Sequence, residues 1–147
     1  MPSFDRSFLE SAMKRFENIE SDRQPEWGVM TPAQMRAHLK TAIRYSLGKE
    51  ERSPDERNWL ISTFVLPLLL NGWIKMPKNV KRPKLYDVAP PEATNDEVRS
   101  EMEAFLAAYE AGDFEPPPHP SLGNLGMKGW AKLHVVHCDH HLRQFGV

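Results

Sequence analysis

The sequence predicts an all-α protein: a four-helix bundle with one or two accessory helices and a long proline-rich loop. Three observations predict it. Apolar residues recur at steps of three to four in several segments, the spacing that lines one face of a helix. Two of these segments open on a capping box, T-x-x-Q or T-x-x-E, in which side chain and backbone satisfy each other at a helix start. No stretch shows the strict alternation of a half-buried strand. The chain has 147 residues, and one core commonly serves about 100–150 residues, so residues 1–147 are read as a single domain.

Each element follows from local pattern. Phe4, Phe8, Leu9, Met13, Phe16 and Ile19 share a stripe that predicts a first helix over roughly residues 3–20. Ser21 to Met30, with Pro25 and Gly28, reads as loop. Thr31, Pro32 and Gln34 then make a strong start for a second helix running to about Leu47, with Gly48 at its end. Met35, His38, Leu39, Ala42 and Ile43 or Tyr45 form its buried side. A third helix begins after Ser53-Pro54 and carries Trp59, Leu60, Phe64, Leu68 and Trp73, with a kink or break at Pro67. Lys75 to Thr94 reads as a long surface loop with four prolines and five basic residues. Thr94 and Glu97 cap a fourth helix carrying Val98, Met102, Phe105, Leu106 and Tyr109 and ending near Gly112. After the stiff PPPHP connector at 116–120, a last helix spans about Gly126 to Phe145. Trp27, Met30, Trp73 and Trp130 are read as core rather than pocket residues.

Composition narrows the function classes. The net charge is −1, which is no footprint for nucleic acid or an acidic membrane. The lone Cys138 excludes an internal disulfide and fits a reducing compartment. The N-terminus mixes acids and bases without an apolar signal centre. The longest apolar run, Leu60 to Leu70, is interrupted and too short to span a bilayer. A cytoplasmic protein with a small-molecule partner is the expectation.

Four of the six histidines fall between His134 and His141. With about 100° of turn per residue, His134, His137 and His141 point to one face of the last helix, beside Trp130 and Phe145. His140 points aside, and Asp139, Lys132 and Arg143 point to the opposite face. Two imidazoles at i and i+4 can reach one metal ion. Imidazole suits zinc, nickel and iron alike, so the spacing does not name the metal. His38 is the candidate third ligand, because it is the remaining histidine expected inside a helix; His119 sits in the proline connector. His134 is a packing residue, a fourth ligand or a proton shuttle, with packing favoured. Gln144, one turn past His141, can orient a ligand or bond between helices. Cys138 lies about 100° from His137 and is not read as a ligand.

The H-x-x-x-H-x-x-Q run from His137 to Gln144, with "WGVMTPAQMRAHL" at the second helix, resembles the signatures of the DinB-like (YfiT-type) superfamily. The wording at both ends is closest to a branch without a settled activity, and the middle helices match in pattern alone. The resemblance implies a four-helix bundle with one metal-ligating histidine on the second helix, His38, and two on the last, His137 and His141. It also implies chemistry seen among relatives: metal-dependent transfer to low-molecular-weight thiols, or hydrolysis. One departure is the missing Ser or Thr cap on the last helix, where Leu125-Gly126-Met127 stands.

The expected function is therefore a metal-dependent enzyme acting on a small molecule through a three-histidine site. No Asp or Glu is placed as general base, and His134 is a weak candidate for proton transfer. The alternative is a non-catalytic metal-binding module whose ion locks the second helix to the last. A homodimer is compatible with a small bundle of this composition.

Overall fold

The computed structural model describes residues 2–79 and 91–147, and the described residues are helical, without strands. Helix α1 spans Arg6–Glu17, α2 Pro32–Ser46, α3 Leu66–Leu70, α4 Asn95–Ala111 and α5 Gly126–Gln144. The basic run beyond Asn79, Lys81 to Lys84, lies outside the described residues, as does most of the proline-rich loop. No helix among those described is long and apolar enough to cross a membrane.

The caps explain where the helices start. Asp5, not Ser3, opens α1, its carboxylate accepting the Phe8 N–H at 2.8 Å. Phe4 and Ile19 fall outside the helix, yet both are buried. Both capping boxes form as expected, Thr31 with Gln34 and Thr94 with Glu97. Helix α5 begins at Gly126 without a side-chain N-cap, although the Asn124 side chain accepts the Gly126 N–H at 3.2 Å. Its first turns are secured instead by Trp130, whose indole N–H donates to the Pro117 carbonyl at 3.0 Å.

Helices α1, α2, α4 and α5 share one core that includes Phe16, Met35, Phe105 and Leu142. Helix α4 packs on α1, α2 and α5; α5 also packs on α1 and α2. Each large side chain so buried stabilises the fold by roughly 1.5–3 kcal/mol. Ion pairs bind the outer faces. Arg99 grips Glu10 through two contacts, at 2.9 and 3.1 Å, and Arg15 meets Asp139 at 3.0 Å. Exposed pairs of this kind stabilise by about 0–1 kcal/mol each, far less than the core.

The third segment departs most from expectation. The predicted break at Pro67 takes the form of a π-helical turn, Ile61–Val65, feeding the short α3. Proline has no N–H to give the carbonyl four residues back, and the Leu66 N–H donates to Ile61, five residues back. Leu66 and Leu69 are buried, but Trp59, Phe64 and Trp73 are exposed. Trp73 is therefore not a core residue, contrary to the sequence reading; Met30 and Trp130 are, and Trp27 is half-buried. The reason is architectural. A five-residue helix resting on α5 has room to bury one narrow side, so an all-round apolar segment leaves its remaining faces open.

Candidate metal centre

His38 stands two turns into α2, between the buried Met35 and Leu39. His137 and His141 stand one turn apart on α5, next to the buried Cys138 and Leu142. Packing of α2 on α5 brings the three rings together. The Nε2 atoms of His38 and His137 lie 2.9 Å apart, and those of His137 and His141 lie 3.1 Å apart. All three pairs of ring centroids are separated by 4.8 Å. Ligand atoms of the three residues all fall within 4.8 Å of one another.

This arrangement fits a metal ion. Zinc holds imidazole nitrogens at about 2.0–2.1 Å, so nitrogens in a tetrahedral shell lie about 3.3–3.4 Å apart. The two separations are a few tenths shorter, within reach of a small ring rotation. One ordinary two-centre hydrogen bond cannot satisfy both His137 contacts. A neutral imidazole nitrogen carries either one proton or one lone pair, whereas the His137 Nε2 faces two other ring nitrogens at once. A cation at their centre serves all three lone pairs. Burial, followed by repulsion from His38, His141, His134 and His140, holds His137 well below the usual histidine range. It is therefore neutral, the form that ligates.

The tautomer of His141 follows from its partner. The Gln144 side-chain amide donates from Nε2 to the Trp27 carbonyl at 2.7 Å, which turns its Oε1 toward His141 Nδ1 at 2.8 Å. An amide oxygen only accepts, so Nδ1 carries the proton and Nε2 offers its lone pair to the centre. The Glu26 N–H also donates to the Gln144 backbone carbonyl, at 2.7 Å. Gly28 makes this approach possible. It has φ +78°, and a Cβ there would lie 2.8 Å from the Gln144 Nε2.

The other histidines do not join the cluster of ligand atoms. His134 bonds through Nε2 to the Ser46 hydroxyl at 2.8 Å, while that hydroxyl donates to the Ile43 carbonyl. Its Nε2 is therefore the donor in the pair. Trp130 stacks on the ring and Phe105 meets it edge-on at 4.7 Å. Burial, with a smaller push from His119, takes its pKa down to about 3. His140 is buried against Trp27 and His141, and its Nδ1 has no hydrogen-bond partner among the described residues. His119 accepts the N–H groups of Ser121 and Leu122 through Nδ1. Burial drives the Cys138 thiol up to about 12, so it stays protonated. Ser46 and the Trp27–Gly28 loop were not singled out as site residues by the sequence reading. Ser46 had a visible signal: it falls seven residues after Leu39 on the buried stripe and is fully buried. The Trp27–Gly28 contact had none, because it joins residues more than a hundred positions apart.

A pH dependence follows from these buried rings. His134 and His119 have folded-state pKa values lowered to about 3 and about 4. The unfolded chain then takes up protons that the folded chain refuses as pH falls below the usual histidine value near 6.5. Stability is expected to be full above that value and to decline from there toward pH 4, by about 1.4 kcal/mol per pH unit for each such ring. Urea midpoints of the metal-free protein at successive pH values measure this. A flat profile from pH 7 to pH 5 would contradict it.

No curated protein and no solved structure matches the chain. Residues 8–146 match the model of a family described as "Protein of unknown function (DUF1569)", a span that takes in His38, His137, His141 and Gln144, and the chain belongs to that family.

Proposed function

We propose that this protein is a metal-dependent enzyme acting on a small molecule, by transfer to a low-molecular-weight thiol or by hydrolysis. His38, His137 and His141 hold the divalent ion, which is zinc, nickel or iron. On the same reading the protein is a distant relative of the DinB-like four-helix bundles. The observation that carries the proposal is the convergence of three ring nitrogens from two helices. A divalent ion held there supplies Lewis acidity and eases deprotonation of water or a thiol at neutral pH. Three protein ligands leave at least one position open on a four-coordinate ion. The protein's own part is to keep His137 neutral by burial, to fix the His141 tautomer through Gln144, and to seat His38 from α2. In this scheme His134 crosslinks α5 to α2, its Nε2 engaged by the Ser46 hydroxyl.

The test combines metal analysis with activity. The purified protein is expected to hold about one ion per chain and to conjugate a generic electrophile in the presence of a small thiol, or to hydrolyse members of an ester and amide panel. A protein that keeps its metal and shows neither activity would sink the enzyme reading. The placement of the three histidines on two helices, α2 and α5, favours a second reading, a structural module in which an ion would lock the two together. Cobalt substitution separates the two. An absorption band that shifts on adding thiol marks an open coordination position, whereas an unmoved band with a steep loss of stability on chelation marks a closed, structural ion.

A further inference from the structure

Residues 58–74 contain no charged side chain, in a chain that is 27% charged. Of the exposed large apolar residues among those described, all but Val29 lie in this stretch. Trp59 is 66% exposed, Phe64 62% and Trp73 78%, with Leu60, Ile61 and Val65 also exposed beside them. A full aromatic side chain carries about 150–250 Å², so at these exposures the stretch presents on the order of 700 Å² of apolar surface. The largest apolar patch on an ordinary monomer is about 300–600 Å². One side of a standard protein–protein interface is about 800 Å². Spread over the open sides of one short segment, the exposed apolar area is larger than the patch an ordinary monomer leaves and close to one side of a stable contact.

The surface is held in place. Leu66 and Leu69 are buried, and α3 packs on α5. At the end of α3, Gly72 takes φ +73° and the Trp73 N–H donates back to the Leu68 carbonyl at 2.9 Å. That Schellman-type turn returns Trp73 alongside the last turn of the helix. Lys132 ties the same turn to α5 by donating to the Asn71 side-chain oxygen at 3.1 Å.

We infer that residues 59–74 form the isologous interface of a homodimer. A face of a single apolar chemistry has no charge pattern by which to select a different partner, but it complements itself. A two-fold axis then places the same patch on both sides. The chain's net charge of −1 leaves little repulsion between copies. A membrane surface fits less well, since interfacial helices carry Lys and Arg on a polar face of the helix itself, whereas here the basic residues begin at Lys75, beyond the helix and its closing turn. The inference does not rest on the metal reading, and the metal content of a dissociated variant tests the two separately.

Sedimentation velocity and light scattering on the intact protein are expected to give twice the 16.9 kDa chain mass. The double substitution Phe64→Glu/Trp73→Glu is expected to give a monomer with unchanged helical circular dichroism and metal content. Should that variant lose helical signal, Phe64→Gln/Trp73→Gln gives the same readout without burying charge. A wild-type protein that stays monomeric over a roughly hundredfold concentration range overturns the inference. So does a dimer that survives either folded double variant. A monomer that instead pelleted with phosphatidylserine vesicles would also overturn it, in favour of a lipid surface.

Discussion

Replacing His137 with alanine is expected to abolish stoichiometric metal binding while leaving the helices in place. His137 is the centre of the triad, with its Nε2 within 3.1 Å of both other ring nitrogens. Without it, His38 and His141 offer two ligands on separate helices, which is too few for a three-ligand site of the kind zinc enzymes use. Loss of a group that merely supports a ligand already costs about 10–100-fold in affinity, so loss of the ligand itself is expected to exceed about 100-fold. The fold is expected to tolerate the change, because the ring is held neutral and is not part of an ion pair. Competition with a chromophoric chelator measures affinity, and circular dichroism reports the fold. His38→Ala should behave the same way from the other helix. A His137→Ala protein that binds zinc as tightly as the parent would show that the triad is not the site.

Gln144→Leu is expected to lower metal affinity about 10–100-fold, although Gln144 is not a ligand. Its amide fixes the His141 proton on Nδ1 and anchors the loop at Trp27. Leucine keeps the bulk and loses both bonds. His141 is then free to place its proton on Nε2, where it blocks ligation, and the Trp27 carbonyl loses its donor at a cost of about 1–3 kcal/mol if water cannot replace it. Gly28→Ala reaches the same point from the opposite side. Its methyl group would meet the Gln144 Nε2, and the left-handed backbone strains any side chain there. A smaller loss of affinity in the same direction is expected. Nitrogen-15 NMR of the His141 ring reads the tautomer directly, and zinc titration reads the consequence. Unchanged affinity with a mixed tautomer would separate ring orientation from binding and defeat the argument.

The helices with capping boxes were legible because the signals lie within one turn. Thr31 with Gln34 and Thr94 with Glu97 start α2 and α4 where the sequence places them. The common facing of His137 and His141 was legible for the same kind of reason, since the 3.6-residue repeat alone puts them on one side. The first helix came out shorter than its apolar stripe. Phe4 and Ile19 continue the stripe by packing against the core from outside the helix, and periodicity does not distinguish the two cases. The apolar run through Trp59, Phe64 and Trp73 reads as core in one dimension, because nothing local states how much neighbouring surface will be there to cover it.

By itself, then, the amino-acid order determined where the chain turns helical, which side of each helix is apolar, and that two imidazoles would project together from the last one. These are consequences of bonds and repeats within a few residues. His38 could be named from the sequence as a candidate, but tertiary structure brought it to within 2.9 Å of His137 from 99 residues away. Tertiary structure alone decided that Ser46 pairs with His134 and that Gly28 makes room for Gln144. Each of these depends on which helix packs against which and at what height. That outcome is set by the summed burial of many side chains across the core, and no short stretch of sequence contains it.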